Sequence, residues 1–195
     1  MSSATVQQAI GPWRQVTAKA DAFFERTQAR HAKRMSCRQG CTLCCQTDLT
    51  VLLVEAVAIA VHLRRLPPSV QDRLAVGGRG SGPPCAMLVG DRCAVYDSRP
   101  LICRTHGLPV AHDANNGHAD PDAPIDVCAL NFTDRLPADA VLHGGRLVAG
   151  LTVADALARR QLGQLDPHRF ALRDIATSRG QTVLEKIGRD CWPAR

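Results

Sequence analysis

The chain has 195 residues and a formal net charge of +6, and 45% of its residues are hydrophobic but only 4% are aromatic. This length is enough for one domain, whose core must rely on leucine, valine, isoleucine and alanine side chains. The basic residues are scattered and lack interleaved aromatic residues, so a nucleic-acid-binding protein is not favoured. The first 35 residues lack the apolar run of a secretory signal, and no apolar stretch is long enough to span a bilayer, so we expect a cytoplasmic protein.

The N-terminal region, residues 1–36, is predicted to be an amphipathic helix. Its first eleven residues are expected to fray, and Gly11-Pro12 marks a helix start from which apolar residues recur at helical spacing to about Arg34. We expect this apolar stripe to pack in the core. The alternative is that the helix binds a protein partner.

Four cysteines lie close together in the next segment, which reads Cys37-x3-Cys41-x2-Cys44-Cys45. On a straight helix these residues would share one face, but Cys37 and Cys45 would be about 12 Å apart along the axis. The sulfur atoms around one tetrahedral zinc ion lie within roughly 4 Å of each other. Therefore either the segment bends, for which Gly40 is the obvious position, or the thiols bind more than one metal atom.

The middle of the chain contains helices, a linker and a predicted hairpin. A strongly apolar helix is predicted from Leu52 to about Arg65, followed by a short helix over residues 69–75 and a glycine-rich linker over residues 77–84. Two short apolar runs then flank Gly90-Asp91, which predicts a small β-hairpin over residues 85–96.

Four more cysteines lie in turn-rich contexts: Cys85, Cys93, Cys103 and Cys128. Cys85 and Cys93 begin the two strands of the predicted hairpin. Cys103 and Arg104 end a short helix that has Pro100 in its first turn.

The rest of the chain is predicted to be a surface loop and a helical extension. In the loop, residues 111–124, solvent exposure of His112 and His118 is favoured over metal binding. Helices are predicted at about residues 152–162, 167–177 and 182–187, and Cys191 lies near a terminus that is expected to fray. The cysteine-cluster domain thus spans residues 37–132, and a C-terminal helical extension, residues 133–195, packs on the same domain.

Eight cysteines are therefore candidate metal ligands: Cys37, Cys41, Cys44, Cys45, Cys85, Cys93, Cys103 and Cys128. Disulfides are rare in the cytoplasm, where clustered cysteines more often bind metal. Iron–sulfur clusters use a compact cysteine run with a remote ligand, whereas two closed four-thiolate zinc sites would be structural. A reactive thiolate with His106 as its partner is the third alternative.

The cysteine run and the string C-x2-Y-x2-R-P-x2-C-R, which begins at Cys93, resemble the bacterial YkgJ-like cysteine-cluster family. The resemblance covers roughly residues 37–128 and implies a zinc- or iron-chelating domain with no agreed reaction; some relatives are described as lysine N-methylases of flagellin. Arg99 and Arg104 fit the family string. Their guanidinium groups are expected to offset the negative charge of thiolates around the cofactor.

The sequence thus predicts a mainly α protein, a small helical domain with a short β-hairpin organised around a multi-cysteine metal centre. The expected cofactor is iron, as an iron–sulfur cluster, or zinc. The alternative function is a metal- or cluster-dependent enzyme that catalyses a redox or methyl/group-transfer reaction. Nucleic acid and membrane are not expected as partners.

Overall fold

The computed structural model describes residues 3–38, 40–80, 82, 84–112 and 123–188. Among these residues the α-helices are α1 (Ser3–Ala9), α2 (Gly11–His31), α3 (Leu53–Leu63), α4 (Pro68–Gly77), α5 (Leu101–Thr105), α6 (Gly144–Leu162), α7 (Leu172–Thr177) and α8 (Gln181–Lys186). The strands are β1 (Thr50–Val51), β2 (Leu88–Val89), β3 (Arg92–Cys93), β4 (Val110–Ala111), β5 (Ile125–Asp126), β6 (Leu142–His143) and β7 (Phe170–Ala171). The predictions for His118 and Cys191 fall outside the described residues.

Helix α3 lies at the centre of the larger hydrophobic core. Its sequence is apolar apart from Glu55 and His62, and every residue except His62 is buried. Helices α6, α7 and α8 pack around it. The prediction that this segment forms the most buried helix is confirmed for the described part of the chain.

Residues 3–9 are helical, so the prediction that the N-terminal residues fray is wrong for those that the structure describes. Val6 and Ala9 of α1 are buried in the larger core, where α1 contacts α6. Helix α6 is also longer than predicted, because it begins at Gly144 and not near Thr152. Two glycines at its start lower the intrinsic helix propensity of this turn, whereas packing of Leu147 on a smaller core stabilises it.

Helix α2 and the 3-10 turn that follows it reach Arg34, as predicted. Trp13 and Ala20 are buried, and the helix packs against α5 and α6. Its apolar stripe therefore lies in the core. A protein partner for this helix stays a prediction.

Three small β-sheets connect the helices. Strands β2 and β3 pair antiparallel on either side of Gly90, whose φ is 62°, so the predicted hairpin is confirmed. Strand β1 pairs antiparallel with β7, and β4 lies between antiparallel β5 and parallel β6. These pairings were not predicted, because a two-residue strand is too short to show alternating hydrophobicity. Strand β7 also shortens the predicted 167–177 helix, since α7 begins at Leu172.

Two buried carboxylates attach the N-terminus of α3 to its neighbours. Glu55 accepts hydrogen bonds from the backbone N–H groups of Leu52, at 3.2 Å, and Leu101, at 2.9 Å. Asp155 of α6 accepts one from the N–H of Val54 at 3.0 Å. Because Leu101 begins α5, this arrangement fixes a cysteine-bearing helix on the central one.

The protein is about 54% helical, which confirms the prediction of a mainly α fold. In the described ranges, no helix combines the length and the apolar character that crossing a membrane requires. The division into three regions stays a prediction.

Candidate metal centre

The cysteine run forms consecutive turns and not a straight helix. The backbone N–H of Cys41 donates to the carbonyl of Arg38 at 3.0 Å, and that of Cys45 donates to Thr42 at 2.9 Å. Gly40 has a φ of 92°, which favours glycine over residues with a side chain. The chain therefore bends at the glycine that the sequence indicated, and the spacing limit of a straight helix does not apply.

Three further cysteines lie on segments that return to this run. The N–H of Cys85 donates to the carbonyl of Cys45 at 2.8 Å, which holds the end of the glycine-rich linker against the run. Cys93 is the last residue of β3, and Cys85 precedes β2, so the prediction that these cysteines begin the two strands is wrong. Cys103 lies in α5, where its N–H donates to the carbonyl of Pro100 at 3.0 Å.

Six cysteines line one cavity of about 270 Å³, which we call the thiol cavity: Cys41, Cys44, Cys45, Cys85, Cys93 and Cys103. They come from the run, the hairpin and α5, which are distant in sequence. Much of the remaining wall is apolar and includes Met87, Val95 and Leu172. Arg99 and His106 contribute basic groups to the same wall.

Cys37 does not line the thiol cavity; it lines a neighbouring cavity of about 480 Å³ that we call the polar cavity. Its Sγ accepts a hydrogen bond from Nδ2 of Asn131 at 3.3 Å, and the same Nδ2 donates to the carbonyl of Gly107 at 2.5 Å. Burial raises the pKa of Cys37, and the nearby Cys128 raises it further. Three cysteines line both cavities: Cys41, Cys44 and Cys103. Cys37 and Cys128 therefore lie near each other, and neither lines the thiol cavity.

Residues 36–122 match the family model CxxCxxCC, which carries the description "Putative zinc- or iron-chelating domain". This segment is similar to that domain, and we call residues 36–122 the CxxCxxCC domain. It contains all of the predicted cysteine ligands except Cys128, which follows the end of the match. No curated protein and no solved structure matches the chain.

Two adjacent thiols of the CxxCxxCC domain have opposite pKa shifts. The pKa of Cys44 is lowered to about 6, because a hydrogen bond from the Cys45 thiol, together with the charges of His106 and Arg99, outweighs the opposing effect of burial. The same hydrogen bond, together with burial, raises the pKa of Cys45. Cys44 is thus the more acidic thiol of the pair, and the thiolate is the form that binds metal.

Burial keeps other thiols of the domain protonated. It raises the pKa of Cys93 to about 11 and that of Cys103 to about 12, and it also raises the pKa of Cys85. A buried thiolate without a cation is costly, whereas a bound metal ion deprotonates a thiol that coordinates it. Within the described lining, Arg99 is the one guanidinium. A bound metal would supply the positive charge that these thiolates need.

The two arginines of the predicted site have different surroundings. The guanidinium of Arg99 lies over the ring of Tyr96, 3.5 Å from its centroid, and its charge favours the neighbouring thiolates. Arg104 is buried and donates hydrogen bonds to the carboxylate of Asp21 and, at 2.5 Å, to the carbonyl of Asp97. Arg104 lines the polar cavity. Arg99 therefore acts on the thiols through its charge, whereas Arg104 holds the backbone that precedes α5.

The donor set of the thiol cavity suits iron or zinc, because both bind thiolates. Across the described ranges, however, no three His, Cys, Asp or Glu side chains are arranged to hold one ion. The eight cysteines in these ranges form no disulfide bonds. The fold thus gathers six thiols around one cavity, but their sulfur atoms are not at the distances and angles of metal ligands. The residues fit the metal by chemistry and location, and the eight-cysteine centre stays a prediction.

Sequence analysis missed three residues that surround Cys37 and Arg104: Asn131, Gly107 and Asp21. No motif marks Asn131 or Asp21, because each reaches the site only through the tertiary fold. A Cβ at position 107 would collide with Sγ of Cys37. In the sequence, a glycine after a short helix indicates only a helix end.

Proposed function

We propose that the CxxCxxCC domain of this chain binds iron or zinc through the cysteine thiolates of the thiol cavity. The observation that supports this most directly is that six cysteines from distant segments line one cavity of about 270 Å³. A buried free cysteine behaves as a small hydrophobe, so packing alone gives no reason for six of them at one place. The family description as a zinc- or iron-chelating domain agrees with this function.

The proposed centre holds more than one metal atom, since six thiols exceed the four ligands of one tetrahedral ion. We assign an iron–sulfur cluster first, because such clusters are held by a compact cysteine run and remote cysteines. The run supplies Cys41, Cys44 and Cys45, and the remote cysteines are Cys85, Cys93 and Cys103. An iron–sulfur cluster supplies electron transfer, whereas zinc supplies a fixed cross-link between these segments.

The residues around the cavity have separate roles in this proposal. Cys44, the more acidic thiol of its pair, presents a thiolate first, and the charge of Arg99 stabilises it. Cys37 and Cys128 are flanking thiols in a six-ligand centre and become ligands in the eight-ligand centre that the sequence predicts. Variants of these two residues separate the two ligand sets.

A metal-dependent enzyme is the second candidate, and the polar cavity favours it. This cavity of about 480 Å³ shares Cys41, Cys44 and Cys103 with the thiol cavity, so a small molecule there would lie beside the centre. Its size is within the range of ligand pockets. Turnover that is lost together with the metal would support this candidate.

The test is elemental analysis and absorbance spectroscopy of anaerobically purified wild type, Cys44→Ser, Cys103→Ser and Cys128→Ser proteins. We expect bound iron with absorbance near 400 nm that bleaches on reduction, or zinc in a colourless protein. Cys44→Ser and Cys103→Ser should lose metal. Retention of metal in Cys128→Ser supports six ligands, and its loss supports eight.

Two results would overturn the proposed function. One is a wild-type protein that binds neither iron nor zinc after purification and reconstitution. The other is an unchanged metal content in both Cys44→Ser and Cys103→Ser, which would place the metal elsewhere.

A further inference from the structure

A third cavity lies between α2, α3 and the turn before α5, and Arg104 is part of its wall. Its volume is about 310 Å³, and we call it the arginine cavity. The residues that give it its chemistry are Trp13, Arg14, His62, Arg65, Ser98 and Arg104. Cysteine does not occur in its described lining, so this cavity is distinct from the thiol cavity, although it shares Asp21, Asp97 and Arg104 with the polar cavity.

The arginine cavity has a buried donor without an acceptor. Trp13 lines it and is only 4% exposed, and its indole Nε1–H has no hydrogen-bond partner among the described residues. A tryptophan N–H normally finds an acceptor when it is buried, because an unsatisfied donor costs free energy. A ligand oxygen in this cavity would satisfy Nε1 after a small shift of the wall, because the nitrogen itself has almost no accessible surface in the unliganded cavity.

The charged groups of the cavity favour an anion. Three arginines line it, against the two carboxylates of Asp21 and Asp97, and the Asp21 carboxylate is already paired with Arg104. The exposed Arg65 has no ion-pair partner among the described residues. Arg14 donates to the neutral side chain of Gln7 at 2.6 Å. Two guanidinium groups therefore keep donors for a ligand.

We propose that the arginine cavity binds a small oxyanion, a carboxylate- or phosphate-bearing molecule. Arginine donors match such groups in charge and geometry, and the Trp13 N–H and the Ser98 hydroxyl add neutral donors. The Ser98 hydroxyl lies 3.1 Å from Nδ1 of His62. In this proposal Nδ1–H of His62 donates to the hydroxyl oxygen, so that the single hydroxyl proton is kept for the ligand. This inference does not depend on the proposed metal function.

The site also shares a structural residue with the CxxCxxCC domain's thiols. Arg104 lines the arginine cavity and donates to the carbonyls of Arg99, at 2.9 Å, and Asp97. It immediately follows Cys103 in α5. An anion bound here therefore contacts the residue that fixes the start of the cysteine-bearing helix.

Trp13 provides a local reporter for the test. The chain has two tryptophans, Trp13 and Trp192, so Trp192→Phe leaves the fluorescence of Trp13 alone. In this background, inorganic phosphate and acetate are titrated at constant ionic strength, with sodium chloride as the control. We expect a saturable change with at least one oxyanion and none with chloride. A response to phosphate alone, to acetate alone or to both then identifies which group the cavity recognises.

Calorimetric titration of the same oxyanion into full-length variants tests the assigned donors. Arg65→Ala should raise Kd about tenfold or more, since it removes a charge-assisted contact, and Trp13→Phe should weaken binding while keeping most of the side-chain volume. Arg64→Ala is the matched control, because Arg64 lines none of the cavities described here. If Trp13→Phe does not fold, the comparison of Kd between Arg65→Ala and Arg64→Ala decides the test, because Arg65 is exposed.

The proposal is overturned if neither oxyanion gives a saturable Trp13 response, or if Arg65→Ala and Arg64→Ala bind with the same Kd. Metal content is measured in parallel. We expect it to be unchanged in Arg65→Ala, so that failure of this site and failure of the metal site are distinguishable.

Discussion

The backbone N–H of Cys85 donates a hydrogen bond to the carbonyl of Cys45 across 2.8 Å, although α3, α4 and the glycine-rich linker separate the two residues in sequence. This bond joins the cysteine run to the segment that enters the hairpin. It brings a remote cysteine beside the run without a metal ion. The backbone thus contributes directly to the convergence of the thiols.

Arg173 of α7 holds the linker that precedes Cys85. Its guanidinium donates to the carbonyls of Gly80 and Gly82, at 2.5 Å for the latter, and to the carboxylate of Asp48 at 2.6 Å. Arg173→Ala removes these bonds, so we expect a loss of about 1–3 kcal/mol in the free energy of unfolding. Urea titration measures it. The control is Arg179→Ala, which removes an exposed ion pair with Asp72 and should lower the free energy of unfolding by less than about 1 kcal/mol. Equal losses in the two variants would show that Arg173 does not hold the linker.

Gly107 gives a prediction about the packing around Cys37. A Cβ at this position would collide with Sγ of Cys37, so Gly107→Ala should destabilise the protein by about 1–3 kcal/mol. Cys37→Ala removes the sulfur, and the double variant should recover part of the loss. Gly77→Ala is the control, since a Cβ there meets no atom within 4 Å. Strict additivity in this double-mutant cycle would contradict the predicted collision.

Glu55 gives a prediction about pH. Burial raises its pKa above the ordinary value of 4.5, despite the hydrogen bonds from Leu101 and Leu52. Between the unfolded and the higher folded pKa, the folded protein binds more protons, so this group's contribution makes stability fall as pH rises. That contribution is absent from Glu55→Gln.

The measurement is the free energy of unfolding of wild type and Glu55→Gln, by urea titration from about pH 4 to about pH 7. Wild type should lose stability relative to the variant as pH rises. Other titrating groups, including the thiols, cancel in this difference. Parallel profiles would show that Glu55 does not titrate differently in the folded state, and the exposed Glu185→Gln serves as the control.

Metal binding should be linked to stability. A ligand set that forms only in the folded chain converts binding free energy into folding free energy, so Cys41→Ser and Cys44→Ser should lose metal and lower the melting temperature. Cys191→Ser should do neither. Calorimetric melts before and after removal of the metal with a chelator check this. A chelator that leaves the wild-type melting temperature unchanged would contradict the linkage.

The sequence predicted features that have a local signal. The apolar run of α3, the hairpin at Gly90 and the bend at Gly40 follow from composition, turn chemistry and the cysteine spacing. Helix α1 could not be predicted, because its stability comes from burying Val6 and Ala9 in a core made by distant residues. The two-residue strands likewise form through tertiary pairing.

The candidate site likewise has features that the sequence indicates and features that only the tertiary fold creates. Spacing indicated that the thiols belong together, but it gave no means of separating Cys37 from the six that line the thiol cavity. In the structure Cys37 accepts a hydrogen bond from Asn131, which lies far along the chain. Such a contact leaves no pattern in the sequence around either residue.

X-ray absorption spectroscopy at the iron or zinc edge tests the central claim most directly, because it counts the atoms bound to the metal. The account predicts a first coordination shell dominated by sulfur, at about 2.3 Å for zinc and with additional iron–iron scattering for a cluster. A shell dominated by nitrogen or oxygen would contradict it.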